Sequence, residues 1–474
     1  MTDRRFNGGR KALALFLAGL FLTLPACSDD PGSSGNSRGG TGPERKNLIF
    51  ITIDTLRADH LSCYGYTRIK TPVMDRLAAE GIQYLKTFSA APWTCPSMAS
   101  IFTSLYPEAH GMVLHPIRDS KKFRALSPKL TTLTEAMKRG GMETHALSEQ
   151  IWCSETFGFA QGFDTFTMLE KNKRVLTDEA IKRLKIIPDD QPFFLYLHYL
   201  DPHTPYTPPE AFEIPHPDAE RYAEFKKLDW DQWWQRLWSL NRSMPDIEPL
   251  LSYVISLYDG EILFVDHEID RLMQCLDDQG LTENTVIALL ADHGEAFLEH
   301  AMLHGSTLFN EEISVPMIIK VPWEPLFKGL KVDGPVSTLD LMPTLLLIMG
   351  LPIPRGIHGE NILPQRNGAV EGGGRKHRFI FTESAYDTAW KKVQSERFSM
   401  IFNKDTRSCK LFDLDNDPME QDDVLDLFPE AFQTHWDAIN TWLDEERRWE
   451  KPESPTINLS DEVEKRLRGL GYIK

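Results

Sequence analysis

Two short apolar runs that each stop at an aspartate constrain this 474-residue chain more than any other feature. Residues 48–53 run into Asp54, and residues 285–290 run into Ala291-Asp292-His293-Gly294. A run this apolar, with no polar alternation, is a strand buried on both faces, the pattern of a parallel sheet covered by helices. Ligands of such sheets gather beyond the carboxyl ends of the strands, where Asp54 and Asp292 would lie. The pattern repeats. Further buried strands are predicted at 144–147, 193–197 and 315–321, and helices at 71–81, 97–104, 132–139 and 339–350. Strands alternating with helices give an α/β fold with a mostly parallel sheet flanked by helices, and no internal repeat is visible. After residue 350 the chain turns Pro/Gly-rich, and shorter strands at 379–382, 398–402 and 410–414 precede a helix at 429–447.

The first 26 residues have a different character. Arg4, Arg5, Arg10 and Lys11 precede an apolar run over 12–24, too short to span a bilayer as a mature helix and shaped like a secretory signal. It ends in Leu24-Pro25-Ala26-Cys27, which resembles a bacterial lipobox. Cys27 is therefore expected as the lipidated first residue of the mature protein, the alternative being ordinary cleavage near Ala26. Ser28 and Asp29 point to outer-membrane sorting, so the expected location is the cell envelope. Residues 27–46, rich in Gly, Ser, Pro and Asn, read as a flexible tether. Removal of residues 1–26 takes away four positive charges and Asp3, which moves the formal charge from −17 to −20. So acidic a protein is a poor partner for nucleic acid, and its expected membrane contact is the lipid anchor alone. Besides Cys27 the chain holds Cys63, Cys95, Cys153, Cys275 and Cys409, without metal-type spacing. One bridge among them is conceivable, but the chain is no disulfide scaffold.

Between the two aspartates the chain reads Ala91-Pro92-Trp93-Thr94-Cys95-Pro96-Ser97-Met98. This resembles the nucleophile turn of sulfatases, which reads Cys or Ser, any residue, Pro, Ser, Arg, and whose first residue is oxidised to formylglycine. Aligning on Pro96-Ser97 puts Thr94 at that position, leaves Cys95 one residue out of frame and sets Met98 in place of the Arg. The resemblance thus implies an unmodified Thr94, familiar from relatives in the alkaline-phosphatase superfamily that act on phosphate or phosphonate esters. It runs from about Asn47 to Tyr472, through Asp201-Pro202-His203-Thr204-Pro205-Tyr206 and Leu411-Phe412-Asp413-Leu414. It implies an alkaline-phosphatase-like fold, with a catalytic domain over 47–365 and a smaller C-terminal sheet-and-helix domain over 366–474.

A hydroxyl is a weak nucleophile until a metal or a base activates it. The resemblance implies one divalent metal ion on Asp54, Thr94, Asp292 and His293. Calcium is the family expectation. Thr55 stands where sulfatases carry a second Asp, and the lost carboxylate shifts the expectation toward zinc or manganese. The resemblance gives His203 the charged ester group or its leaving oxygen, work suited to a ring that donates near neutral pH. His304 falls where sulfatases commonly place a Lys that touches the ester. Arg57 and Asp59 match the family's opening signature and are expected to brace their loop. His198 is expected in the core and His300 at the surface. Trp230, Trp233, Trp234 and Trp238 recur at helical spacing, so they are expected on one face of an inserted helix packed on the core. The other reading of that segment is a lid or an aromatic platform for a sugar or lipid.

The chain therefore reads as a metal-dependent sulfatase-like hydrolase of sulfate esters with a Thr nucleophile, acting on a small-molecule, glycan or lipid ester. A phosphate or phosphonate ester hydrolase or phosphotransferase on the same site competes with it, as does a catalytically inactive binding protein. The anchor has a direct test. Cys27→Ser should move the protein from the membrane to the soluble fraction when cells are fractionated, and stable membrane retention of that variant would contradict the lipobox.

Overall fold

Each apolar run divides its residues between two cores, which is why it carries no polar alternation. The computed structural model describes residues 45–113, 123–170, 174–188, 190–364, 378–384 and 389–469. Cys27, most of the tether and the expected boundary at 365/366 lie outside them. The central sheet is built from β1 (Asn47–Ile53), β2 (Ile82–Phe88), β3 (Glu143–Ser148), β4 (Thr165–Met168), β5 (Phe193–Tyr199), β6 (Thr285–Ala291), β7 (Ser314–Lys320) and β8 (Leu330–Val332). Their order is β8-β2-β7-β6-β1-β5-β3-β4, and a ninth short strand, Val336–Ser337, pairs beside β2. Among these strands only β7 runs against its neighbours. Ile49, Ile51 and Ile53 of β1 join one core, whereas Leu48 and Phe50 join the other.

Helices Pro72–Glu80, Val175–Leu184 and Ile247–Asp278 pack on the first face. Helices Thr94–Thr103, Leu133–Arg139 and Leu341–Met349 pack on the second. Their ends obey local chemistry. Thr132 and Glu135 form a reciprocal capping box, and Gly350, at φ 73°, closes Leu341–Met349 in the left-handed conformation that glycine favours.

The 32-residue helix Ile247–Asp278 escaped the apolar-periodicity reading because it buries acids among its apolar residues. Each acid has a partner. Asp259 meets His60 Nδ1 at 2.7 Å and accepts from the Tyr66 hydroxyl at 2.8 Å. Asp266 accepts the N–H groups of Val73 and Met74, which open the neighbouring helix. The tryptophan segment does form a helix, Trp230–Trp238, but Trp233 does not share a face with Trp234 and Trp238. Trp233 is wholly buried against Tyr206 and Phe225, whereas Trp238 is 49% exposed and pairs with Trp234. Positions 234 and 238 lie four apart on one side of the helix, and 233 is turned about 100° from 234. The five cysteines outside the N-terminal segment are all free thiols.

The C-terminal part adds an antiparallel sheet of β9 (Ile380–Glu383), β10 (Trp390–Gln394), β11 (Phe398–Asn403) and β12 (Cys409–Asp413). Helix Pro429–Glu446 covers it, and their shared core also takes in Ala90, Tyr106 and Leu339 from the larger part of the fold. A buried charge reinforces that junction. Lys392 Nζ lies 2.6 Å from Glu420 and 2.9 Å from Asn310 Oδ1. Removing one member of a buried pair strands the other without solvent, so Lys392→Met should cost about 3–5 kcal/mol in urea denaturation. The double variant Lys392→Met/Glu420→Leu should recover much of that loss, and equal destabilisation of the two would contradict this role for the pair.

Candidate active site

Strand register brings the two aspartates together. β1 and β6 run parallel with Ile53 opposite Ala291, so Asp54 and Asp292, one step beyond each strand, leave the sheet side by side. Both are wholly buried. His293 Nε2 lies 3.6 Å from Asp54 Oδ1 and 3.4 Å from Asp292 Oδ2. Its Nδ1 donates to the Gly294 carbonyl at 2.9 Å, which leaves Nε2 of the neutral ring with its lone pair turned toward the acids. The turn that does this is tight. A side chain at Gly294 would place its Cβ 2.2 Å from the Glu311 carbonyl oxygen.

Thr94 enters the same site from the start of helix Thr94–Thr103, whose cap is Trp93. Its Oγ1 is 3.2 Å from His293 Nε2. The helix is tied to the Asp292-His293-Gly294 turn by Ser97, whose hydroxyl donates to the Asp292 carbonyl at 2.6 Å, and Ser89 donates to the same oxygen at 2.6 Å. Cys95 points away into the core with Met98 and Phe102, and burial pushes its thiol far above the range in which a thiolate forms. The helix begins three residues earlier than the sequence pattern suggested, so Thr94 is its first residue rather than a loop residue before it.

His203 and His304 complete the cluster. The His203 ring is 5.1 Å from the His304 ring, which is 4.5 Å from the His293 ring, centroid to centroid. His203 Nδ1 donates to the Thr204 carbonyl at 2.7 Å, and His304 Nδ1 lies 2.8 Å from Glu295 Oε1. All six residues singled out for the site are thus neighbours.

Other residues are placed differently from expectation. His198 was expected as a satisfied core residue, but β5 continues to Tyr199 and sets it opposite Thr52, close enough for its ring to reach Asp54. Its Nε2 lies 3.6 Å from Asp54 Oδ2 and has no hydrogen-bond partner, and donor atoms of Asp54, His198 and Asp292 all lie within 4.8 Å of one another. Gln150, just past β3, donates its amide to Asp54 Oδ2. The missed signal was positional: β5, beside β1, and β3, beside β5, also end in polar residues near the two aspartates. His300, expected at the surface, is half-buried: it bridges Glu311 and the Glu420 carbonyl and stacks on Phe309. Arg57 braces its loop, paired with Asp59 and Glu299 and donating to the Glu295 carbonyl. Thr55 sits at φ 58°, strained for a β-branched residue, and its N–H faces Asp292 Oδ1 at 3.3 Å.

The electrostatics fit a divalent cation. Burial, and then the neighbouring Asp54, push the Asp292 carboxyl up to about 6. Burial brings His198, His293 and His304 down to about 4, so near neutral pH their rings are uncharged. Two carboxylates facing neutral imidazoles, with Asp292 Oδ2 and His198 Nε2 buried and unpartnered, are a donor set for such an ion. A pH dependence follows. Because its folded value is raised, Asp292 holds a proton that the unfolded chain releases between about 4 and 6, so without metal it costs stability as pH rises through that window. Metal needs the ionised carboxylate and must displace that proton at low pH. The Tm increment from saturating Mn²⁺ or Zn²⁺ should therefore be larger at pH 7.5 than at pH 5, and Asp292→Ala should abolish it. An increment that persists in that variant would place the metal elsewhere.

Comparison with known proteins agrees with this geometry. A family model described as sulfatase matches residues 46–351, and another, described as N-sulphoglucosamine sulphohydrolase, C-terminal, matches residues 298–444. Arylsulfatase K of Bos taurus is 23% identical over 86% of this chain and 83% of its own length. A sulfatase of Escherichia coli (strain K12), YidJ, itself uncharacterized, is 25% identical over 85% and 88%. Among solved structures, the phosphonate monoester hydrolase of Agrobacterium radiobacter superposes with a TM-score of 0.69 at 20% identity, covering 85% of this chain and 96% of that one. A protein solved with its substrate D-glucosamine-2-N,6-O-disulfate also gives 0.69 at 20% identity, covering 87% and 100%. With the first model spanning well over half of its length and the acid-histidine site in place, the chain belongs to the sulfatase family and is a sulfatase-like ester hydrolase.

Proposed function

We propose that this chain is a divalent-metal-dependent hydrolase of sulfate esters in which an unmodified Thr94 is the nucleophile. One observation carries this reading: of two adjacent candidates, Thr94 has its oxygen 3.2 Å from His293 Nε2, and Cys95 is buried in apolar packing. Asp54, Asp292, His293 and Thr94 would hold the ion, with His198 added to them. A mixed nitrogen and oxygen set favours zinc or manganese over calcium. When bound, such an ion lowers the pKa of a hydroxyl and offsets the charge of the ester.

The chain's own groups carry the steps. The deprotonated Thr94 oxygen bonds to sulfur as the bond from sulfur to the alcohol oxygen breaks, and His203 Nε2 gives its proton to the departing alkoxide. His203 is aimed for this by its Nδ1 bond to the Thr204 carbonyl. In the second half His203 takes a proton from water, whose oxygen bonds to sulfur and displaces Thr94. His304 holds a non-bridging oxygen of the ester throughout.

The substrate in this reading is a sulfated glycan. A structural neighbour solved with D-glucosamine-2-N,6-O-disulfate supports that class. The second reading is a phosphate or phosphonate ester, supported by the unmodified hydroxyl and by the phosphonate monoester hydrolase neighbour. The lipobox-like Leu24-Pro25-Ala26-Cys27 supports a lipid-anchored protein of the cell envelope, and the formal charge of −17 argues against a nucleic-acid partner.

Paired aryl sulfate and aryl phosphate substrates, offered to protein reconstituted with Mn²⁺ or Zn²⁺, decide between the esters. Turnover of the sulfate is expected, and turnover of the phosphate alone would establish the second reading. Thr94→Ala should reduce kcat by at least about 1000-fold, as loss of a nucleophile does, while most metal binding survives. Cys95→Ala should keep kcat and cost about 1–2 kcal/mol of stability, as a small core truncation does. An active Thr94→Ala protein beside a dead Cys95→Ala one would overturn the assignment.

A further inference from the structure

We propose that Glu295 is the positioning residue of this site: it orients the His304 imidazole so that Nε2, not Nδ1, addresses the ester. The inference rests on the reading of His304 as an ester contact. Glu295 directly follows the Asp292-His293-Gly294 turn and is wholly buried. Both of its oxygens are engaged. Oε1 lies 2.8 Å from His304 Nδ1, and Oε2 accepts from the Tyr206 hydroxyl at 2.8 Å. The backbone sets this pair by register. Ala296–Phe297 pairs antiparallel with Met302–Leu303, with Ala296 opposite Leu303, so positions 295 and 304 form the next cross-strand pair. The far end of the contact chain is equally fixed, since Tyr206 closes the Asp201–Tyr206 segment that carries His203. Arg57 holds the Glu295 carbonyl from behind at 2.9 Å.

A buried carboxyl is costly, and an apolar residue would fill the space at lower cost, so packing does not account for Glu295. Its hydrogen bond does something an apolar residue cannot. An ammonium donates in any rotation, but an imidazole meets a ligand only through the nitrogen its orientation presents, and a half-turn about the last side-chain bond puts a carbon where each nitrogen stood. With Nδ1 committed to Glu295, the ring wedged between His203 and His293 presents Nε2. One carboxyl thereby couples the two histidine loops, His304 directly and His203 through Tyr206.

The test uses the full, metal-loaded chain and a double-mutant cycle. Glu295→Ala should lower kcat by about 30-fold, the usual scale for removing a group that orients a histidine, with the metal content per chain unchanged. Glu295→Ala/His304→Ala should be no slower than His304→Ala alone, because the two residues act as one unit. Glu295→Gln, whose amide can still hydrogen-bond Nδ1 in either tautomer, should restore kcat to within about fivefold. A residue with a merely structural role would lower Tm and multiply its loss with that of His304→Ala, and that outcome overturns the proposal. Should Glu295→Ala fail to fold, Tyr206→Phe reads the same chain: about threefold off kcat in the parent and none in the His304→Ala background. If neither aryl ester turns over, the functional reading fails separately, and calorimetric titration with inorganic sulfate and inorganic phosphate decides. Glu295→Ala should then weaken anion binding by about tenfold and add nothing to His304→Ala, whereas unchanged binding overturns the proposal.

Discussion

Two carboxylates buried side by side at the ends of adjacent parallel strands are the constraint on which the rest of this structure depends. Asp54 and Asp292 are fixed by the pairing of β1 with β6, whose residues are clamped between two apolar cores. Neither strand end can relax to let the acids separate. Burial and mutual repulsion push Asp292 up to about 6, and the imidazoles around the pair are held neutral. The Gln150 amide and the N–H groups of Thr55 and His293 face the pair, and a divalent cation would balance the charge they leave. The local strain points the same way: Thr55 is held at φ 58°, and Gly294 lets the backbone pass within contact of Glu311. Both distortions serve to aim groups at one spot, and the large sheet supplies the stability that offsets them.

The choice of nucleophile follows from helix geometry. Successive residues of a helix are rotated by about 100°, so when Thr94 faces the strand ends Cys95 must face elsewhere. Cys95, Met98 and Phe102 fall at the three-and-seven spacing of one apolar stripe, and all three lie in the core beneath the sheet. The pins from Ser97 and Ser89 to the Asp292 carbonyl lock that rotation to the acid it serves. A thiol in this place is packing, and the hydroxyl beside it is chemistry.

The sheet was legible in the sequence wherever burial on both faces left an uninterrupted apolar run, as in β1, β5 and β6. It was illegible where that signal is diluted. β2 carries Gln83 and Lys86 within its run, and nothing in the composition of β7 records that it is reversed. The longest helix was hidden by paired acids buried along it, such as Asp259 and Asp266. The site was legible in its motif residues, Asp54, Thr94, His203, Asp292, His293 and His304, which the fold gathers. His198 and Gln150 were not, because their place depends on how far β5 and β3 run before they end. The pairing of Glu295 with His304 depends on the register of a two-residue hairpin, which sequence spacing alone does not fix.

The central claim is that Thr94 itself forms the covalent ester, and trapping that ester tests it most directly. Metal-loaded protein would be quenched in acid during turnover of an aryl sulfate or aryl phosphate, digested, and the peptide spanning Thr94 and Cys95 sequenced by mass spectrometry. The account predicts the sulfuryl or phosphoryl group on Thr94, with both side chains otherwise unmodified. The group on Cys95, or a formylglycine at either position, would contradict it.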